Sequence, residues 1–322
     1  MTDRPTAAFV DFWGAYNPAS DAIGQKILSG FDLADSPAAA NLVVHSFFGE
    51  AHAATPRSRL SFSAEPVIPE RTPAHWTIDW RHRSQPSHFR LPAWAASIMA
   101  YPELADAVQD GPPPGERRFC NFIYKNPRCD ERNAFFEMLH RRRPVDALGR
   151  VFHNTDHPNL ADRGFANKRS IQREYRFTIA FENSEHIGYT TEKLVDAWLA
   201  DTVPIYWGNP AVGIDFAPGS FLSLYEAGSL TKLVEQVLEM EHDPDLYETY
   251  RRANPFRSGA AATELADYVS GMEQFVQQVA DDVRISPTRR RRSRLKGSMA
   301  RSQAALRSGK QQAKKALLRR RG

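Results

Sequence analysis

Two short stretches of the chain concentrate residues able to hold negative charge. The first runs from Phe177 to Lys193 and reads FTIAFENSEHIGYTTEK. An apolar run passes into a polar loop, and a helix is expected to start near Thr190 or Thr191, with threonine as its N-cap. Lys193 then falls in the first helical turn. A cation there opposes the helix dipole. A bound anion reverses that argument, because lysine and free backbone N–H groups would converge on one phosphate. The second stretch, Lys125 to Asn133, reads KNPRCDERN and follows the apolar run Arg118–Tyr124. Asp130 is expected as the N-cap, which puts Arg132 in the first turn. Two strand-to-helix turns that each open on a cation suit a diphosphate, which arginine can grip bidentately. A solvated Lys193, and an Arg132 paired at the surface with Glu131 or Asp130, are the plainer alternatives.

The elements that must position these residues alternate between strand and helix. Apolar runs at 7–14, 41–49, 59–64 and 74–80 read as strands, with a helix near 21–31 between the first two. Asp110-Gly111-Pro112-Pro113-Pro114-Gly115-Glu116 is the best linker. A second series follows: strand Arg118–Tyr124, helix Asp130–Arg142, strand Phe177–Phe181, helix Thr191–Ala200 and strand Val203–Trp207, with helices filling 229–282. This order predicts an α/β fold of two Rossmann-like domains facing a cleft. The expected domains are 1–110, 111–283 and a basic C-terminal tail, 284–322.

Composition narrows the function classes. The chain has 322 residues and a net charge of +4, but residues 289–322 hold 14 of its 42 Lys and Arg and no Asp or Glu. The remainder sets 28 basic residues against 38 acidic ones, a net −10. An acidic body argues against nucleic acid as a partner. No run approaches the roughly 18 apolar residues of a membrane span, and the first residues lack the pattern of a signal peptide. Cys120 and Cys129 are expected as free thiols in a reducing compartment. His153, His157 and His186 lack the spacing of a metal site. No Asp-x-Asp pair stands at a strand end to hold a metal.

Phe181-Glu182-Asn183-Ser184, Tyr189-x-Thr191-Glu192-Lys193 and Pro204-Ile205-Tyr206-Trp207-Gly208 together resemble the signature of the α1,3/4-fucosyltransferases, glycosyltransferase family 10. Asn126-Pro127, Arg132-Asn133-Ala134-Phe135-Phe136, Pro144-Val145-Asp146 and Asn154 are similar to the family too. Phe9 to Gly14 and Phe62 to Pro66 match more loosely. The resemblance spans about residues 7–280 and is greatest to bacterial members.

The resemblance implies GT-B architecture and inverting transfer of fucose from GDP-fucose to a GlcNAc-containing glycan, forming an α1,3 linkage. It places the acceptor on the N-terminal domain and the donor on the C-terminal one. Arg132 and Lys193 would hold the diphosphate and Glu192 the ribose hydroxyls. Asn183 and Tyr189 would line the nucleotide and fucose site. Glu65 would be the general base, although the family's Glu-Ser-Pro reads here as Glu65-Pro66. Glu50 is the rival carboxylate, and Glu182 is expected to order its loop. No cofactor is expected, with a divalent cation at most a stimulant. The alternatives are α1,4 regiochemistry, another nucleotide sugar, or an inactive sugar- or membrane-binding protein.

The tail offers a basic, weakly amphipathic stripe through Leu295, Met299, Leu306 and Ala313. Such a stripe suits an anionic membrane surface, so the protein is expected at the cytoplasmic face, peripheral to the membrane.

Overall fold

The computed structural model describes residues 4–55, 57–67, 74–100, 116–157 and 165–285. The tail from 286 onward and most of the linker lie outside the described residues. The chain forms two units. One contains the residues up to Ala100 and, again, those from Leu265; the other lies within Tyr101–Glu264.

In the first unit the order is β1 (Thr6–Val10), α1 (Ala22–Leu28), β2 (Asp32–Leu33), β3 (Leu42–His45), β4 (Ser58–Ser63), β5 (Trp76–Asp79), β6 (His88–Arg90) and α2 (Ala93–Ala100). The strands form one parallel sheet in the order β2-β1-β3-β4-β5-β6. All of β3 is buried, as expected where both faces of a parallel sheet are covered. Asp21 caps α1 by accepting from the Gly24 N–H at 2.8 Å.

The second unit continues with β7 (Arg118–Phe122), α3 (Asp130–Arg142), β8 (Asp146–Ala147), α4 (Phe165–Gln172), β9 (Tyr175–Ile179), α5 (Glu192–Leu199), β10 (Val203–Tyr206), β11 (Leu222–Ser223), α6 (Leu224–Ala227), α7 (Leu230–His242) and α8 (Pro244–Arg252). Its sheet is also parallel, in the order β11-β10-β9-β7-β8. Its core is aromatic, with Phe122, Phe135, Phe177 and Phe181 fully buried.

The last helix, α9 (Ala261–Ile285), starts in the second unit and joins the first from Leu265. Met272, Phe275, Val276, Val279, Ala280 and Val283 are buried at three- and four-residue spacing, one apolar stripe. Phe275 stacks on Phe89 at 5.8 Å, and Glu273 pairs with Lys26 of α1 at 2.7 Å.

The predicted strands are present; five are shorter than their apolar runs, while β4 and β9 keep their length and shift by one and two residues. The run 41–49, for example, pairs only over Leu42–His45. Asp11, just beyond β1, takes a left-handed φ of 59°. Its carboxylate accepts from the N–H groups of Ala51 and His52 and from His52 Nδ1, the last at 2.6 Å. The His52 ring stacks on that of His45, centroids 3.9 Å apart. Burial pushes the His45 imidazole down to about 4; Ser46 and Asp11 oppose that, while His52 and Arg59 add to it.

A buried neutral histidine makes stability depend on pH. Between its ordinary value and about 4 the unfolded chain binds the extra proton, so stability falls as pH falls through that window. We expect the His45 site to cost about 2 kcal/mol on going from pH 7 to pH 5. Urea unfolding of wild type and His45→Gln at both pH values measures it, and an equal pH response in the two proteins would refute it.

Candidate functional site

In the second unit β7 is the first strand and β9 the third, and they are neighbours, while β8 lies on the other side of β7. The order is that of a doubly wound sheet whose direction of growth reverses between β7 and β9. Ligands in such sheets bind beyond the carboxyl ends of the strands at that reversal. The loops leading into α3 and α5 both emerge there.

The loop into α5 is organised by a buried carboxylate. Glu182 is fully buried. One of its oxygens accepts from the Thr191 N–H at 2.8 Å, the other from the Thr191 hydroxyl at 2.7 Å. Lys193 reaches the same carboxylate at 3.2 Å and the Thr191 hydroxyl at 2.9 Å. Thr191 is the N-cap, and Lys193 stands in the first turn of α5 as the sequence predicts. Burial alone would depress the Lys193 ammonium, but Glu182 and Glu192 more than offset it and hold it well above the usual range. Burial pushes the Glu182 carboxyl up, against the pull of Lys193. For Glu192, burial is outweighed by Lys193 and Lys168, and its carboxyl lies below the usual value.

A close approach of backbone locks this carboxylate in place. Gly208, at φ 139°, lies against the Glu182 side chain, and a Cβ at Gly208 would come within 2.4 Å of the Glu182 Cβ and Cγ. Asn209, fully buried, accepts from the Gly188 N–H at 2.8 Å and donates to the Thr190 hydroxyl at 3.0 Å. It pins the loop that carries Tyr189, which is itself buried.

The loop into α3 differs from expectation in its cap. Cys129 rather than Asp130 is the N-cap, and it makes no side-chain cap bond; its thiol instead approaches the Glu182 carbonyl at 3.4 Å. Asp130 becomes the first helical residue, so Arg132 remains in the first turn. Arg132 is fully buried. Its Nη1 donates to the Asn183 side-chain oxygen at 2.7 Å, its Nη2 donates to the Asn126 carbonyl, and its guanidinium lies 4.2 Å from the Tyr124 ring centroid. Its Nε is buried with no hydrogen-bond partner among the described residues. Every group that holds it is neutral. Neither Glu131 nor Asp130 pairs with it, which removes the plain surface reading of this residue.

Arg132, Asn183, Tyr189, Glu192 and Lys193 thus come together around two adjacent loops. Glu65 belongs to the first unit, beyond the carboxyl end of β4, with an exposed side chain. Its carbonyl accepts from Trp80 Nε1 at 2.9 Å and from the Ser63 hydroxyl at 3.0 Å. Sequence reasoning missed Tyr124, Asn126 and Asn209. His153 and His157 pair with Asp156 and Glu174. Among the described residues, no group of three or more His, Cys, Asp or Glu is placed to hold a metal ion.

Removing Lys193 would strand a buried carboxylate. We expect Lys193→Met to lose about 3 kcal/mol at pH 7, and less as pH falls, because burial favours the protonated Glu182 carboxyl. The double variant Lys193→Met/Glu182→Gln should recover part of the loss. Denaturant unfolding measures all three, and a Lys193→Met protein as stable as wild type would contradict the pairing.

Residues 116–275 match the model of glycosyltransferase family 10 (fucosyltransferase), C-terminal region. The chain is 33% identical over 158 residues to the alpha-(1,3)-fucosyltransferase FucT of Helicobacter pylori, covering 49% of this chain and 32% of that protein. It is 31% identical over 185 residues to alpha-(1,3)-fucosyltransferase 4 of Rattus norvegicus, covering 55% and 40%. The matched stretches therefore span well under half the length of these relatives. Among solved structures, the crystal structure of an alpha1,3-fucosyltransferase superposes with a TM-score of 0.67 at 20% identity, covering 84% of this chain and 90% of that one. The same fold solved with GDP-fucose gives 0.66.

Proposed function

Residues 116–275 form a glycosyltransferase family 10 domain, and from that premise we propose that the protein transfers fucose from GDP-fucose to a GlcNAc-containing glycan, with inversion and an α1,3 linkage. The observation that carries the proposal is Arg132, a fully buried guanidinium held only by neutral groups. A buried cation without an anion is costly. A pyrophosphate at the mouths of the α3 and α5 loops supplies that anion, with Lys193 as the second cation.

The chemistry follows from charge. Cleavage of the bond between fucose C1 and the phosphate oxygen leaves the electron pair on GDP. Arg132 and Lys193 stabilise that charge as it develops, and they are in place before it appears. Asn183 is exposed and occupies Arg132 Nη1, so a phosphate oxygen that reaches this nitrogen takes the place of the Asn183 amide. Glu192, partly exposed and held ionised, accepts from the ribose hydroxyls. Tyr189 lines the sugar side. In the first unit, Glu65 takes the proton of the attacking acceptor hydroxyl. No step calls for a protein-bound metal, and a divalent cation would ride on the diphosphate. The tail, residues 284–322, would bring the enzyme to an anionic inner membrane face where surface glycans are assembled.

Arg132→Ala and Lys193→Ala should each weaken GDP binding at least tenfold, a loss of about 1.5–3 kcal/mol for one charge-assisted contact. Glu65→Gln should bind GDP normally and fail to transfer. Calorimetry with GDP and a radiolabelled transfer assay separate the two roles. Wild-type GDP affinity in both cation variants would overturn the donor site, and retained turnover in Glu65→Gln would move the base elsewhere.

Deleting 288–322 should abolish co-sedimentation with anionic vesicles at low salt and leave transfer to a soluble acceptor intact. Equal sedimentation of both forms would reject the membrane role.

A further inference from the structure

The first unit repeats the topology of the second. β1 and β3 are neighbours, and β2 lies on the far side of β1. Its own reversal point therefore lies between β1 and β3, where general experience of such sheets places a ligand. The residues found there are Asp11, after β1, and the segment from His45 to His52, after β3.

They form a built polar centre. Asp11 holds His52 Nδ1 at 2.6 Å, and its carboxylate is fixed in turn by two backbone N–H groups. Gly49 closes over the carboxylate so tightly that a Cβ there would lie 2.4 Å from Asp11 Oδ1. The Asp11 carboxylate accepts from Nδ1 and so fixes the orientation of the His52 ring, which leaves Nε2 to meet a polar group of a ligand. Nε2 makes no hydrogen bond within the described residues. His45 packs flat beneath the ring, 6° from parallel, and its own Nε2 is buried without a partner among the described residues. Asp11 takes a left-handed backbone, φ 59°, and such outliers gather at ligand sites.

Beside this centre stands an exposed aromatic shelf. Trp13 is 44% exposed and Phe48 54% exposed. Their rings meet edge to face at 6.0 Å, and the Phe48 N–H donates to the Asp11 carbonyl at 3.1 Å. Phe12 supports the shelf from behind and stacks on Phe62 of β4, the strand that leads to Glu65. Flat aromatic faces beside an oriented hydrogen-bonding nitrogen match a pyranose, which has an apolar face and a rim of hydroxyls.

We propose that Trp13, Phe48 and the Asp11–His52 pair form the subsite for the sugar ring of the acceptor glycan. The ring lies on the shelf and one of its hydroxyls forms a hydrogen bond with His52 Nε2. This rests on the transferase reading above and specifies its acceptor side. His52 positions the acceptor; Glu65 remains the base.

The test uses the full chain with N-acetyllactosamine as acceptor. Trp13→Ala, Phe48→Ala and Asp11→Asn should each raise the acceptor KM roughly tenfold or more and leave GDP release from GDP-fucose without acceptor unchanged. The exposed Trp13 and Phe48 can be removed without a cavity, so these two variants stay informative if Asp11→Asn unfolds. Saturation-transfer NMR with N-acetyllactosamine should show the sugar saturated in wild type and lost in Trp13→Ala. An unchanged acceptor KM and unchanged NMR transfer in the two shelf variants would overturn the subsite. A wild-type protein that saturates the sugar but never releases GDP would instead fail the transferase reading while keeping the subsite.

Discussion

The buried Glu182 carboxylate organises the second unit's loops. It is placed by the end of β9 and by Gly208, whose lack of a side chain lets β10 close on it. From there it bonds to the Thr191 backbone and hydroxyl and pairs with Lys193. One anion therefore sets where α5 begins, which cation stands in its first turn, and how that cation stays charged in a dry site. A neutral amide at position 182 could keep some of the hydrogen bonds. It could not offset the burial of the ammonium.

Both units apply one topological device to different chemistry. Each sheet reverses between its first and third strands, and each reversal carries a buried polar cluster. In the second unit the cluster sets two cations, Arg132 and Lys193, beside two carboxylates, Glu182 and Glu192, and on the reading proposed above it would bind an anion. In the first it is an aspartate–histidine pair flanked by aromatic faces. A nucleoside diphosphate suits the former and an uncharged sugar the latter. The split follows from side-chain chemistry alone, since the backbone architecture of the two sheets is nearly the same.

Much of this was legible in the residues. The cations that begin α3 and α5 stand out because they oppose the helix dipole, and the apolar runs mark seven strands within a few positions. Legibility fails where a residue acts through a neighbour on another strand. Tyr124 and Asn126 matter because they cradle Arg132 from the β7 loop; Asn126 lies in a run similar to the family, but nothing local marks either residue as a partner of Arg132. Asn209 follows the signature directly but reaches back 21 residues to the Gly188 N–H. Asp11 and His52 are 41 residues apart. The two-residue strands β2, β8 and β11 are too short to carry any periodicity. The crossing of α9 into the first unit is set by Phe89 and Lys26, far away in sequence.

The two cations of the candidate donor site are held in opposite ways, and the difference has a physical consequence. Lys193 is paired with carboxylates, so its charge is secure but partly cancelled. Arg132 cannot lose its proton in a protein, so it needs no carboxylate to stay charged, and it is held by amide oxygens and an aromatic face. Its field is therefore the less cancelled of the two. On the reading proposed above, an arriving diphosphate would gain most from Arg132, while Lys193 would be shared between Glu182 and the phosphate without leaving its place. Neither side chain has to be ordered at the moment of reaction. The cost of ordering them was met on folding, which is the condition for fixed charges to stabilise a leaving group rather than follow it.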